Sequence, residues 1–146
     1  MSKGNGIFKI DAAMIPVFTV LIITGIAVHI SSEKSARDLW VIRSVIHVVA
    51  AVAFLILVYC HVTQHRGWFR SLLKGNIKKR GVTIALTLIL IVEIISGIVL
   101  LVFVDGDGSP CGHLHWIAGI ILAVIGTGHY IKRFNRLKNG LLRKHD

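Results

Sequence analysis

Apolar residues in this chain are gathered into four long runs, about 12–30, 39–62, 82–104 and 114–131, and the charged positions are concentrated in the short stretches between them. Crossing the hydrocarbon core of a bilayer takes roughly 20 apolar residues, with a range of about 17–25. Each run meets that length, the fourth near its lower limit. None alternates apolar and polar positions as a membrane-barrel strand does. Each therefore predicts a helix, which satisfies its own backbone hydrogen bonds in lipid. The first run is too long for the apolar core of a signal peptide, and no small-x-small cleavage pattern follows it, so it predicts a retained helix. Gly/Pro-rich linkers and a low-complexity tail are absent. The expectation is one integral membrane domain over residues 1–146, all-α, a transmembrane four-helix bundle running up-down-up-down.

The two halves repeat. Segment 47–61 reads HVVAAVAFLILVYCH and segment 115–129 reads HWIAGIILAVIGTGH. Each opens and closes on histidine, fourteen positions apart, and a shift of 68 lays one on the other. Thr24-Gly25-Ile26 in the first run matches Ser96-Gly97-Ile98 in the third at a shift of 72. Each half is thus a helix hairpin whose second helix carries a histidine pair. A parallel repeat of this kind makes the second and fourth helices run the same way. At about 100° per residue, fourteen positions return a side chain to within about 40° of its start, and at about 1.5 Å per residue they separate the two by about 21 Å. His47 and His115 are then expected at one depth, and His61 and His129 at another, as two facing pairs.

Composition and charge add a compartment and a direction. A hydrophobic share of 54% and a mean hydropathy of +0.73, with only 16% charged residues, set the chain apart from soluble domains, which carry about 25%. The net charge is +10, and it is distributed unevenly. HRGWFRSLLKGNIKKRG, between the second and third runs, holds Arg66, Arg70, Lys74, Lys78, Lys79 and Arg80 and no acid. The tail holds Lys132, Arg133, Arg136, Lys138, Arg143 and Lys144 against Asp146. The first connection mixes Glu33 and Asp38 with Lys34 and Arg37, and DGDGSPCG before the fourth run is acidic. The positive-inside rule places both termini in the cytoplasm of a multi-pass protein of the cell inner membrane. Anionic lipid headgroups account for the basic residues, so no nucleic-acid partner is implied.

Neutral imidazole is a good iron ligand, and haem iron presents two axial positions, so facing imidazoles in a helical bundle suit a haem. Two such sites would carry electrons between the membrane faces. Ala50, Ala51 and Ala53 on the second helix and Gly119, Gly126 and Gly128 on the fourth would let a flat macrocycle or a neighbouring helix approach the backbone. The twin intervals resemble the di-haem core of cytochrome b. The compact four-helix form, with HVTQHRGWF after the second helix, resembles the small membrane cytochrome b-like proteins called flavinylation-associated cytochromes. The resemblance runs from Gly25 to Lys138, and the fourth helix departs from it by continuing HYIKRFNRLK without a tryptophan stretch. It implies two non-covalent haem b groups with His47, His61, His115 and His129 as axial iron ligands. It also implies an electron-transfer subunit of a larger oxidoreductase in a respiratory chain, with redox partner subunits, rather than a stand-alone enzyme. A quinone is a further candidate partner.

Other residues have competing readings. His113 lies roughly opposite His129 on its helix and ranks below His115. His65 shares the face of His47, but the repeat puts Arg133 at its counterpart. His29 is a substitute ligand or a propionate partner, and His145 a solvated tail residue. Arg43, one turn beyond His47, either clamps a haem propionate or extends its charge to the interface. Glu93, mid-helix in the third run, is a functional candidate as a proton carrier for quinone chemistry, or a neutral group bonded to a neighbouring helix. Cys60 and Cys111 lie at opposite depths and are not expected to pair. With no CxxCH, covalent haem attachment is not indicated. The main rival is a small transporter of transition-metal ions or protons, which predicts histidines along a polar path. A structural anchor with histidines as interhelical glue explains neither the interval nor its repetition.

Overall fold

The computed structural model of the protein describes residues 3–33, 37–67, 80–103 and 109–142. They form four long helices, α1 (Lys3–Glu33), α2 (Arg37–Gln64), α3 (Gly81–Phe103) and α4 (Pro110–Leu142). All four contain stretches long and apolar enough to span a bilayer, at Phe8–Ser31, Arg37–Gln64, Gly81–Phe103 and Pro110–Asn135. The protein is an all-α, multi-pass membrane protein. Its helices overrun the apolar runs at most ends, because helical hydrogen bonding continues into polar sequence. The fourth span, expected to be short, lengthens to Asn135. Residues 68–79 and 143–146, which carry much of the charge asymmetry, and 104–108 lie outside the described residues.

Local chemistry explains the ends and interruptions. Ser109 caps α4: its Oγ accepts from Gly112 N at 3.0 Å, and Pro110 follows in the first helical position, where no N–H is needed. Pro16 sits inside α1, a position tolerated in membrane helices where neighbours compensate the lost backbone bond. Thr19 and Thr87 return their hydroxyl hydrogens to carbonyls four residues back, so neither presents an unsatisfied donor to lipid.

α1 packs along α2, α3 packs along α4, and the hairpins join through α1 on α4. The end where α1 gives way to α2 is here called upper, and the end where the chain starts and finishes lower. The core is thin, and many large apolar side chains face outward. Met14 and Phe18 of α1, Phe54 of α2 and Leu122 of α4 form its centre. The Phe18 ring stacks on Phe54 with centroids 5.3 Å apart and leans on Tyr130 at 5.7 Å. Phe54 lies seven positions from both His47 and His61, and Leu122 seven from both His115 and His129. Seven residues are close to two turns. This apolar layer therefore sits midway between the levels of the two histidine pairs.

Candidate functional site

The upper level is built by one device used twice. Thr24 Oγ1 sends its hydrogen to α1 carbonyls, Val20 O at 2.9 Å or Leu21 O at 3.0 Å, and its oxygen lies 3.1 Å from His47 Nδ1. Ser96 Oγ does the same on α3, donating to Val92 O at 2.7 Å, and lies 2.8 Å from His115 Nδ1. With each hydroxyl hydrogen committed to the backbone, the oxygen can only accept. With the hydroxyl hydrogens so placed, Nδ1 carries the proton and Nε2 keeps a free lone pair. The next residue makes room for the ring. A Cβ at Gly25 would stand 3.2 Å from His47 Cε1, and one at Gly97 3.3 Å from His115 Cε1. The repeated Thr-Gly and Ser-Gly pairs are thus a hydroxyl for the nitrogen and a glycine for the ring.

The two imidazoles come together across the hairpins with ring centroids 6.3 Å apart and planes at 84°. Two metal–imidazole bonds of about 2 Å each, added to the distance from each ring centre to its nitrogen, fill such a separation. Glu93 adjoins this level. Its Oε2 lies 3.1 Å from His115 Nδ1, beside the Ser96 bond, and its side chain is only 13% exposed. Its Oε1 is buried and has no hydrogen-bond partner among the described residues. The Oε2 contact brings Glu93 to the neighbouring helix α4. Arg43 turns toward α1, where Nη1 donates to Ser31 Oγ at 2.6 Å and to Ala27 O at 3.2 Å. It thereby ties the upper ends of α1 and α2. His29 stacks on Trp116 of α4, with centroids 4.0 Å apart and planes at 13°. His113 is exposed.

The lower level gathers around Asp11 of α1, a residue that sequence reasoning passed over. Its Oδ1 accepts from His61 Nδ1 at 2.7 Å, and its Oδ2 lies 3.9 Å from His65 Nε2. The rings of His61 and His65 are 4.7 Å apart. Desolvation, and then the neighbouring His61, hold His65 below the usual imidazole range. His129 on α4 is half-buried, within electrostatic reach of both His61 and Asp11. The signal that could have exposed Asp11 is its spacing: it stands fourteen positions before Gly25, the same interval that separates His47 from His61. Cys60 and Cys111 are both free thiols, and Cys111 Sγ reaches Ser96 O at 3.7 Å.

The fold and these two levels define a class: a multi-pass helical membrane protein with stacked intramembrane histidine clusters. Compared with protein-family models, with curated proteins and with solved structures, the chain matches none. The donor set at the upper level is of the kind haem takes: two imidazoles whose Nδ1 atoms are engaged by hydroxyls, which leaves Nε2 open, each ring lying against a glycine. At the lower level, the Asp11 bond prepares His61 in the same way.

Proposed function

We propose that the protein is a di-haem b-type cytochrome, the electron-transfer subunit of a membrane oxidoreductase complex. His47 with His115, and His61 with His129, would hold one haem b each. The carrying observation is the upper pair: rings 6.3 Å apart, both Nδ1 atoms on hydroxyls whose hydrogens are engaged elsewhere. When bound, haem supplies a one-electron iron couple at each level. Thr24, Ser96 and Asp11 set the tautomer and ring orientation of their histidines, as outer partners of metal ligands commonly do. Phe18, Phe54 and Leu122 fill the space between levels with apolar atoms and exclude water. Arg43 would hold a propionate with the donors its α1 contacts leave over. A quinone, or a redox subunit on a cytoplasmic or external face, would exchange electrons with the levels. Under the charge asymmetry the lower level is the cytoplasmic one.

A reduced-minus-oxidised absorption spectrum with haem quantification tests this. Two low-spin haems per chain are expected, and protein purified without haem from haem-replete cells would overturn the reading. One observation favours the metal-transport alternative: Asp11, His61 and His65 offer ligand atoms within 4.8 Å of one another. A transport path also needs polar lining, yet Tyr59 is 70% exposed and Thr127 is exposed, both on outward faces. The Phe18–Phe54 stack interrupts the route between levels. Transition-metal content measured on the same sample separates the two: stoichiometric zinc, nickel or cobalt without haem is the transporter's result.

A further inference from the structure

The histidines of the two levels have different sets of polar partners. At the upper level the Nδ1 partners are the hydroxyls of Thr24 and Ser96, with the Glu93 carboxylate also 3.1 Å from His115 Nδ1. Among the described residues, only His47 of that pair rests on a hydroxyl without a carboxylate beside it. At the lower level the acceptor for His61 is a carboxylate, Asp11 Oδ1, at 2.7 Å. The repeat does not reproduce it. The shift of 72 that lays Thr24-Gly25 on Ser96-Gly97 lays Asp11 on Thr83. Asp11 therefore belongs to one hairpin and one level only. Its side chain is 25% exposed and that of His61 30%, so the contact is partly withdrawn from water and its charge is incompletely screened.

A carboxylate accepting an imidazole N–H draws the proton toward itself and leaves the other ring nitrogen more electron-rich. Such partners raise the basicity of a metal-bound histidine. An electron-rich ligand stabilises ferric over ferrous iron. Resting on the di-haem reading, we propose that Asp11 is a positioning residue that holds His61 as the ligand in preference to its neighbour His65 and lowers the reduction potential of the lower haem. Geometry supports the selection as well as the tuning. The carboxylate grips His61 at hydrogen-bond distance, whereas His65 is 3.9 Å from its second oxygen, beyond such a bond. The contact fixes the His61 ring from its Nδ1 side and frees Nε2. His65 remains a half-exposed neighbour.

The test uses the full chain, with haem counted per chain and each spectral component titrated against redox potential. Asp11→Asn keeps an acceptor oxygen and removes the charge. It should retain both haems and raise the lower midpoint by about tenfold in the one-electron equilibrium, which is about 59 mV, with the upper component unmoved. Asp11→Ala should also weaken haem at the lower level by roughly 10–100-fold. Two retained haems with an unchanged lower midpoint in Asp11→Asn would overturn this role and leave the di-haem reading standing. Wild-type protein without haem would overturn the di-haem reading itself. Should Asp11→Asn lose the lower haem, Asp11→Glu decides: recovery of that haem near its wild-type midpoint supports the role, and failure to recover it overturns the role.

Discussion

Thr24 and Ser96 each do two things with one oxygen. They return a hydrogen to their own helix, which membrane serines and threonines commonly do, and they accept from a histidine on the adjacent helix. The second contact turns a helix-surface imidazole into a directed ligand. Replacing either hydroxyl by Ala leaves an Nδ1–H without its acceptor and lets the ring turn. Ser96→Ala and Thr24→Ala should therefore weaken upper-level haem binding by roughly 10–100-fold, read by titrating haem into the stripped protein. Affinities equal to wild type in both variants would remove the tautomer-fixing role. Glu93 Oε2 is poised 3.1 Å from His115 Nδ1, so Thr24→Ala is the cleaner of the two, since among the described residues no carboxylate pairs with His47.

Between the levels, helix packing turns on one contact. Phe18 of α1 lies over Gly126 of α4 so closely that a Cβ there would meet Cζ at 2.7 Å and Cε1 at 3.1 Å. The same ring stacks on Phe54, so it cannot retreat without disturbing α2. Gly126→Ala forces either α4 outward or the aromatic layer apart. Overpacking of this kind costs about 1–3 kcal/mol. A lower thermal-unfolding midpoint in detergent is the expected result, against little change for Gly128→Ala, where none of the described residues stands within 4 Å of an added Cβ. Because Ala is the better helix former, equal loss in both variants would remove this contact as the cause.

At the scale of the whole molecule, parallel α2 and α4 make the ligand pairs cross the hairpins. His47→Ala and His115→Ala should abolish one and the same haem component, and His61→Ala and His129→Ala the other, as read in difference spectra. His65→Gln should leave both, and loss of the lower component in that variant would transfer the ligand role to His65. Sidedness is a separate matter. Under the positive-inside rule, Cys111 at the start of α4 should react with an impermeant thiol reagent added outside intact cells. The reaction is expected to be slow, because the thiol is half-buried and bonded toward Ser96 O. Labelling from the cytoplasmic face alone would exchange the sides of the two levels without altering their ligand pairs.

The four helices and the meeting of His47 with His115 were legible in the chain because both follow from local quantities. Run length meets bilayer thickness, and helical rise and rotation convert a fourteen-residue interval into a position. The Thr24-Gly25 and Ser96-Gly97 match was visible as a repeat, but its use was not, since a hydroxyl's partner depends on how two helices are rotated about their axes. Asp11 went unnoticed for a related reason: near a helix end it reads as one more polar flank. Only the packing of α1 against α2 brings its carboxylate to His61, fifty positions away. The joining of the hairpins through α1 and α4, and the placing of Phe18 over Gly126, were likewise decided in three dimensions. The apolar runs are hydrophobic all round, so their sequence marks no single packing face. Which stripe meets which neighbour was settled by the fit of side chains into the small-residue gaps opposite them.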